Sequence, residues 1–549
     1  MNLLSAMISS PGLVPFSLVI VLAGCLLVPC ASAAAAPTDS PASDLDVVLA
    51  KIREAAGYRA LSEHSGGLLV EGMAEYQGQS GPYTLLFTPQ GQFLQTIHLR
   101  RDQNVGFDGT TAWAVDWSGT PHLLEFGELE SEQTIFFVRT GRWLAEGGPF
   151  RIELPAQSTD GTTLRLRLRL KQGLESWELD VDRSTWLPVR LVGRQVGADD
   201  VWEFHDYRPV PGRGPAPSAN SASAAPKLAY RTVHKFGNGS ATFEIQSVKP
   251  APARAATENP FLPRLDPPHD FQFHDSVPAH FEVKRVASGH LFVRPKISGA
   301  EVGWFFLDTG TGAGTTISPA VADRLKLPAF GKIVQGGAAK LNMGQLREGT
   351  TFELGSITID KTIFVELPQP FCDAMKRAFG LDVVGTCGYD LFSRAVVELD
   401  LKHGTASCQE SNGYRLKQGA WEPLSFNHKI PCVRARYEGG REGLFQFDTG
   451  AGNTVLFHAP AVKRLKLLDQ RQTRPMKVGG VGGALDARIG SLEWFEVGGR
   501  RLEKPMALFL EPHEGALNEA YLDGTFGSGI LKNMTIIFDY PHRRIAFGK

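Results

Sequence analysis

The chain has 549 residues, more than one hydrophobic core usually serves, which excludes a single small domain. Its 57 Lys and Arg against 58 Asp and Glu leave a formal net charge of -1, which excludes global electrostatic attraction to nucleic acid or anionic lipid. With 42% hydrophobic and 21% charged residues it is not a disordered chain, and 59 glycines with 35 prolines favour many turns over long helices, so a mainly β protein is expected.

At the N-terminus, Leu13 to Val28 form an apolar stretch too short for a comfortable bilayer span, followed by the small residues Ala31, Ser32 and Ala33. Residues 1–33 therefore read as a signal peptide and 34–44 as a spacer, which predicts export to the periplasm or cell envelope. Leu22-Ala23-Gly24-Cys25 leaves a second reading open, since it resembles a bacterial lipobox that would put a lipid anchor on Cys25. That anchor is the one route to a membrane expected here, because no later stretch is long and apolar enough to span.

Residues 45–248 predict one helix, Leu45 to Ala56, and then a large antiparallel sheet. Its strands include Tyr83 to Phe87, Phe93 to Leu99, Leu164 to Leu170, Trp177 to Val181 and Pro188 to Val192, separated by turn signals such as Asp108-Gly109 and Asp160-Gly161. The Pro/Ala/Ser/Gly-rich stretch 209–226 reads as a flexible insertion, Tyr230 to Val248 returns to strands, and 249–275 reads as a linker. This region resembles the half-barrel domain of bacterial outer-membrane lipoprotein carriers and sorting proteins. The resemblance is carried by Phe107-Asp108-Gly109-Thr110-Thr111-Ala112-Trp113, by Leu179-Asp180-Val181-Asp182 with Leu187-Pro188, and by Phe243-Glu244-Ile245-Gln246-Ser247-Val248. It implies a lipid or lipoprotein partner held between a curved sheet and a helix.

Beyond the linker the sequence is duplicated, with copies at 276–411 and 412–549. Trp304-Phe305-Phe306-Leu307-Asp308-Thr309-Gly310 recurs as Leu444-Phe445-Gln446-Phe447-Asp448-Thr449-Gly450, 140 positions later. Gly299 and Gly303 before the first aspartate match Gly439 and Gly443 before the second. Arg324-Leu325-Lys326-Leu327 matches Arg464-Leu465-Lys466-Leu467, and Gly388 with Asp400 matches Gly527 with Asp539. One Asp-Thr-Gly means little, but this shared register marks an internal duplication. Four cysteines fall here, which allow three pairings or free thiols; in an oxidising compartment the sequence-local choice is Cys372 with Cys387 and Cys408 with Cys432, each bridge stabilising by about 3 kcal/mol. No C-x-x-C pair or histidine cluster accompanies them, so no metal or other cofactor is expected.

Both copies resemble the retroviral-type (retropepsin-like) aspartic protease domain found in bacterial exported proteins. The resemblance lies in the two apolar-apolar-Asp-Thr-Gly loops, in Val383-Val384-Gly385-Thr386-Cys387-Gly388-Tyr389-Asp390-Leu391-Phe392 and in Thr525-Phe526-Gly527-Ser528-Gly529-Ile530-Leu531. It implies a bilobal, pepsin-like pair of β-barrels in which Asp308 and Asp448 form a catalytic dyad on an extended peptide. By the same resemblance, Thr309 and Thr449 would cross-link the loops, and the amides near Gly310 and Gly450 would hold the carboxylates. The glycine-rich stretches at Gly336-Gly337 and Gly479-Gly480 would then be flaps, where the plain reading is a pair of surface hairpins.

Two carboxyls about 3 Å apart cannot both ionise, so one can act as base while the other acts as acid. Thr311 follows the first loop's glycine where Ala451 follows the second, so a hydroxyl donated to Asp308 would favour its ionised form and leave the proton on Asp448. The sequence thus predicts an exported aspartic endopeptidase with a peptide or protein substrate. The alternative is a non-catalytic envelope protein that binds lipid, lipoprotein or extended peptide.

Overall fold

The alternating apolar and polar residues after Gly67 build a sheet of 13 strands in which every neighbouring pair is antiparallel. This is seen in a computed structural model that describes residues 44–59, 67–155, 161–195, 198–211, 225–252, 259–368, 371–513 and 515–548. The expected signal peptide with Cys25, and most of the insertion 209–226, lie outside these residues. Thr163–Leu170 shows the period: Leu164, Leu166, Leu168 and Leu170 are buried while Arg165, Arg167 and Arg169 turn to the other face. The edge strands Pro121–Leu124 and Phe150–Glu153 do not pair, which leaves a half-barrel. From Leu45 onward the chain packs as one unit.

The expected helix is α1, Asp44–Ala56. A second helix, α2 (Phe126–Arg139), departs from the expectation of one and lies against the sheet, where Ile135, Phe136, Phe137 and Val138 join the core. Phe136 stacks on Phe93 at 4.0 Å. Thr134-Ile135-Phe136-Phe137-Val138 has the composition of a strand, and burial around most of the helix erases the 3.6-residue period by which helices are recognised.

The predicted linker is bound at both ends. The Phe261 carbonyl accepts from the buried Trp113 indole at 3.0 Å, and Phe271–Phe273 pairs with Ile357–Asp360.

The two copies repeat one topology. Trp304–Leu307, which leads into Asp308, runs parallel to Val383–Cys387, and Thr316–Ile317 returns antiparallel on the other side of that strand. Arg441–Phe447, Gly524–Phe526 and Val455–Phe457 repeat the arrangement. The closing strands meet, Val396–Asp400 pairing antiparallel with Thr535–Asp539 inside a sheet of six strands drawn from both copies. The strands of the two copies are short, many of two to five residues, and among the described residues their sheets close into no complete barrel.

The expected disulfides are corrected. Cys387, Cys408 and Cys432 are free, buried thiols on three different strands, so neither Cys372–Cys387 nor Cys408–Cys432 is formed. Burial pushes the Cys408 thiol up to about 12 and Cys387 well above its ordinary value.

Candidate active site

Each Asp-Thr-Gly loop leaves a buried apolar strand and meets its counterpart at once. The Thr309 amide donates to the Thr449 hydroxyl at 3.0 Å and the Thr449 amide donates to the Thr309 hydroxyl at 3.0 Å. The hydroxyls donate onward across the junction, Thr309 to the Phe447 carbonyl at 2.7 Å and Thr449 to the Leu307 carbonyl at 2.6 Å. Both threonines are buried, so this four-bond lattice is dry and fixes one loop against the other.

The lattice sets the carboxyls side by side. Asp308 and Asp448 are half-buried, and each carboxyl lies against the glycine of the other loop. The Gly310 amide donates to Asp308 Oδ1 at 2.8 Å, and the Gly450 amide donates to Asp448 Oδ1 at 2.7 Å. Glycine is required in both loops, because a Cβ on Gly310 would lie 2.4 Å from the Asp448 carboxyl and one on Gly450 would lie 2.7 Å from Asp308 Oδ1.

The pair is not symmetric. The Thr311 hydroxyl donates to Asp308 Oδ2 at 2.9 Å, a bond that Ala451 cannot offer Asp448. Desolvation first, and the Asp308 carboxylate second, push Asp448 well above the usual carboxylate range. Of the two carboxyls, Asp448 is thus the one pushed toward its protonated form. Such a pair can deprotonate a water with one member and protonate a leaving group with the other.

The glycine-rich stretches form hairpins, Ala329–Gly336 with Leu341–Glu348 and Arg474–Gly480 with Gly483–Ser491. Their tips touch, the Ala339 amide donating to the Val481 carbonyl at 3.1 Å. The copies are thus bridged at the aspartate loops and again at the hairpin tips. Asp400 and Asp539 lie away from this chemistry: Asp400 accepts from the Lys402 and His403 amides in a turn, and Asp539 accepts from Ser411 and Arg544.

His290 was not legible as a site residue. Its Nδ1 meets the Ser288 hydroxyl at 2.7 Å and its ring stands edge-on to Phe306. Burial pushes the imidazole below its ordinary value while Asp308 pulls the other way. The position it matches in the second copy is Ile430, so comparison of the repeats carries no signal for it.

No curated protein matches the chain. Among solved structures, a LolA superfamily protein from Nitrosomonas europaea is similar at 13% identity over 38% of this chain and 94% of that one, with a TM-score of 0.26. An outer membrane lipoprotein-sorting protein domain from Vibrio parahaemolyticus is similar at 9% identity over 37% and 92%, with a TM-score of 0.24. Residues 433–531, the span that holds Asp448-Thr449-Gly450 and Gly527, match the family described as Aspartyl protease.

Proposed function

We propose that the protein is an exported aspartic endopeptidase that hydrolyses peptide bonds through a water activated by Asp308 and Asp448. The observation that supports this reading is the juxtaposition of the two carboxyls above the threonine lattice, with Asp448 pushed toward its protonated form. An extended peptide would lie between the aspartate loops and the hairpin tips. Ionised Asp308 takes a proton from water as its oxygen bonds to the scissile carbonyl carbon, and Asp448 gives its proton to the carbonyl oxygen. The C–N bond then breaks, with the proton on Asp308 passing to the departing amine and one hydroxyl proton of the tetrahedral intermediate returning to Asp448, which restores the starting pair. Export rests on the Leu13 to Val28 stretch and the small residues after it.

Digestion of a peptide library between about pH 3 and 8, the span such a pair can cover, tests the reading. Cleavage is expected; its absence across the window leaves the non-catalytic binding protein. The Thr311→Ala variant adds a signed test. The hydroxyl favours the ionised dyad, so its loss should move the acidic limb of the kcat/KM profile to higher pH. An unmoved limb removes Thr311 from the mechanism.

The N-terminal half-barrel supports a second, binding role. A narrow cleft of about 50 Å³ between the sheet and α2 is lined by Val70, Tyr83, Leu85, Phe204, Leu228 and Ile245 among others, with Arg139 at the end of α2. Its apolar lining suits an acyl chain of a lipid or lipoprotein, which would have to part α2 from the sheet to enter. A fluorescent fatty acid is expected to bind saturably at one site, and linear, non-saturating uptake would remove this role.

A further inference from the structure

We infer that the N-terminal domain closes one of the two ends of the peptide groove, so that cleavage falls at a short, fixed distance from one terminus of the substrate. The inference rests on the aspartic peptidase reading above. A peptide laid across the dyad leaves the molecule at two ends, which the duplication makes equivalent. Each end is framed by four elements: the loop after one aspartate, the hairpin of the same copy, and, from the other copy, the turn before its aspartate strand and the segment before its late glycine.

At one end all four elements are covered by the N-terminal domain. Trp117 packs beside Ala313 and Phe330 on the cluster formed by Ile333, Leu346, Ile363, Val365 and Leu367, which joins the loop after Asp308 to the first hairpin. The first hairpin is also gripped by two turns of the half-barrel: the Lys332 amide donates to the Gln77 carbonyl at 2.8 Å, and Gly237 and Gly239 sit against Leu341 and Val334. From the second copy, the Phe426 and His428 amides donate to the Glu125 and Glu128 carboxylates at 2.8 and 2.9 Å, and the buried Lys429 ammonium pairs with Asp116. The fourth element is held as well. Glu519 shares His428 with Glu128, and the Tyr521 hydroxyl donates to Glu130.

Among the described residues the opposite end is bare. Its elements are Gly452–Asn453, the second hairpin, Val286–His290 and 375–382, and every hydrogen bond and ion pair described for them lies within the two copies. The outer strand of the second hairpin, Arg474–Gly480, is exposed at all positions but Val478, whereas the matching strand of the first hairpin, Ala329–Gly336, is exposed only at Ala329 and Lys332. A domain of this size cannot step aside without breaking the buried Lys429–Asp116 pair and the main-chain bonds to Glu125 and Glu128, so it acts as a wall.

The test uses the full chain and a peptide that the library shows to be cut, extended residue by residue on its N-terminal or its C-terminal side. Extension on one side is expected to leave kcat/KM unchanged at any length. On the other side kcat/KM should fall by an order of magnitude or more once the added residues meet the wall. Equal tolerance on both sides overturns the proposal and leaves the peptidase reading intact. Failure to cut any peptide defeats the peptidase reading instead, and the proposal with it.

Discussion

Asp448→Asn is expected to lower kcat/KM by about 10⁴-fold, the upper range for general acid and base catalysis, while peptide affinity is retained. Asparagine keeps the shape of the side chain and the hydrogen bond from the Gly450 amide, but it has no proton to give to the scissile carbonyl. Asp308→Asn should cost as much, because an amide beside Asp448 cannot take a proton from water. The double variant should be no slower than the slower single one, since the pair works as a unit. Steady-state kinetics on one cleavable peptide, with affinity followed by fluorescence, checks all three. A single variant that keeps more than a tenth of the wild-type rate removes that carboxyl from the mechanism.

Thr449→Val is expected to destabilise the molecule by about 2–4 kcal/mol and to abolish activity. Valine fills the same volume, yet the Leu307 carbonyl loses its donor and the Thr309 amide its acceptor, both in a buried junction where an unpaired group costs about 1–3 kcal/mol. Thr449→Ser, which restores the hydroxyl, should recover most of both losses. Urea unfolding measures the first effect, and an unfolding midpoint equal to that of the wild type would show that the lattice does not hold the copies together.

How far these features were legible depends on whether a residue's role is written locally. The meeting of the two loops could be read because a repeat with one register predicts two equivalent strand-turn units, and Asp308 and Asp448 hold the same place in each. The half-barrel was legible in strands such as Thr163–Leu170, where leucine alternates with arginine. Helix α2 was not, since its buried Ile135-Phe136-Phe137-Val138 run carries no periodicity. Glu125, Glu128, Asp116 and Trp117 belong to no motif, and their partners lie about 200 to 300 residues away in the chain, beyond any local pattern. The disulfide expectation failed because sequence proximity stood in for geometry, whereas strand pairing sends the three described thiols into separate buried positions.

The contrast of Thr311 with Ala451 bears on how two joined aspartate loops can specialise. An assembly of two identical chains must repeat every substitution on both sides of its axis, so neither aspartate could acquire a private partner. Joining the copies in tandem lifts that constraint: each loop drifts alone, and selection can assign one residue to hold the proton and the other to release it. The same liberty lets a single flank recruit an appended module while its mirror image stays open to solvent.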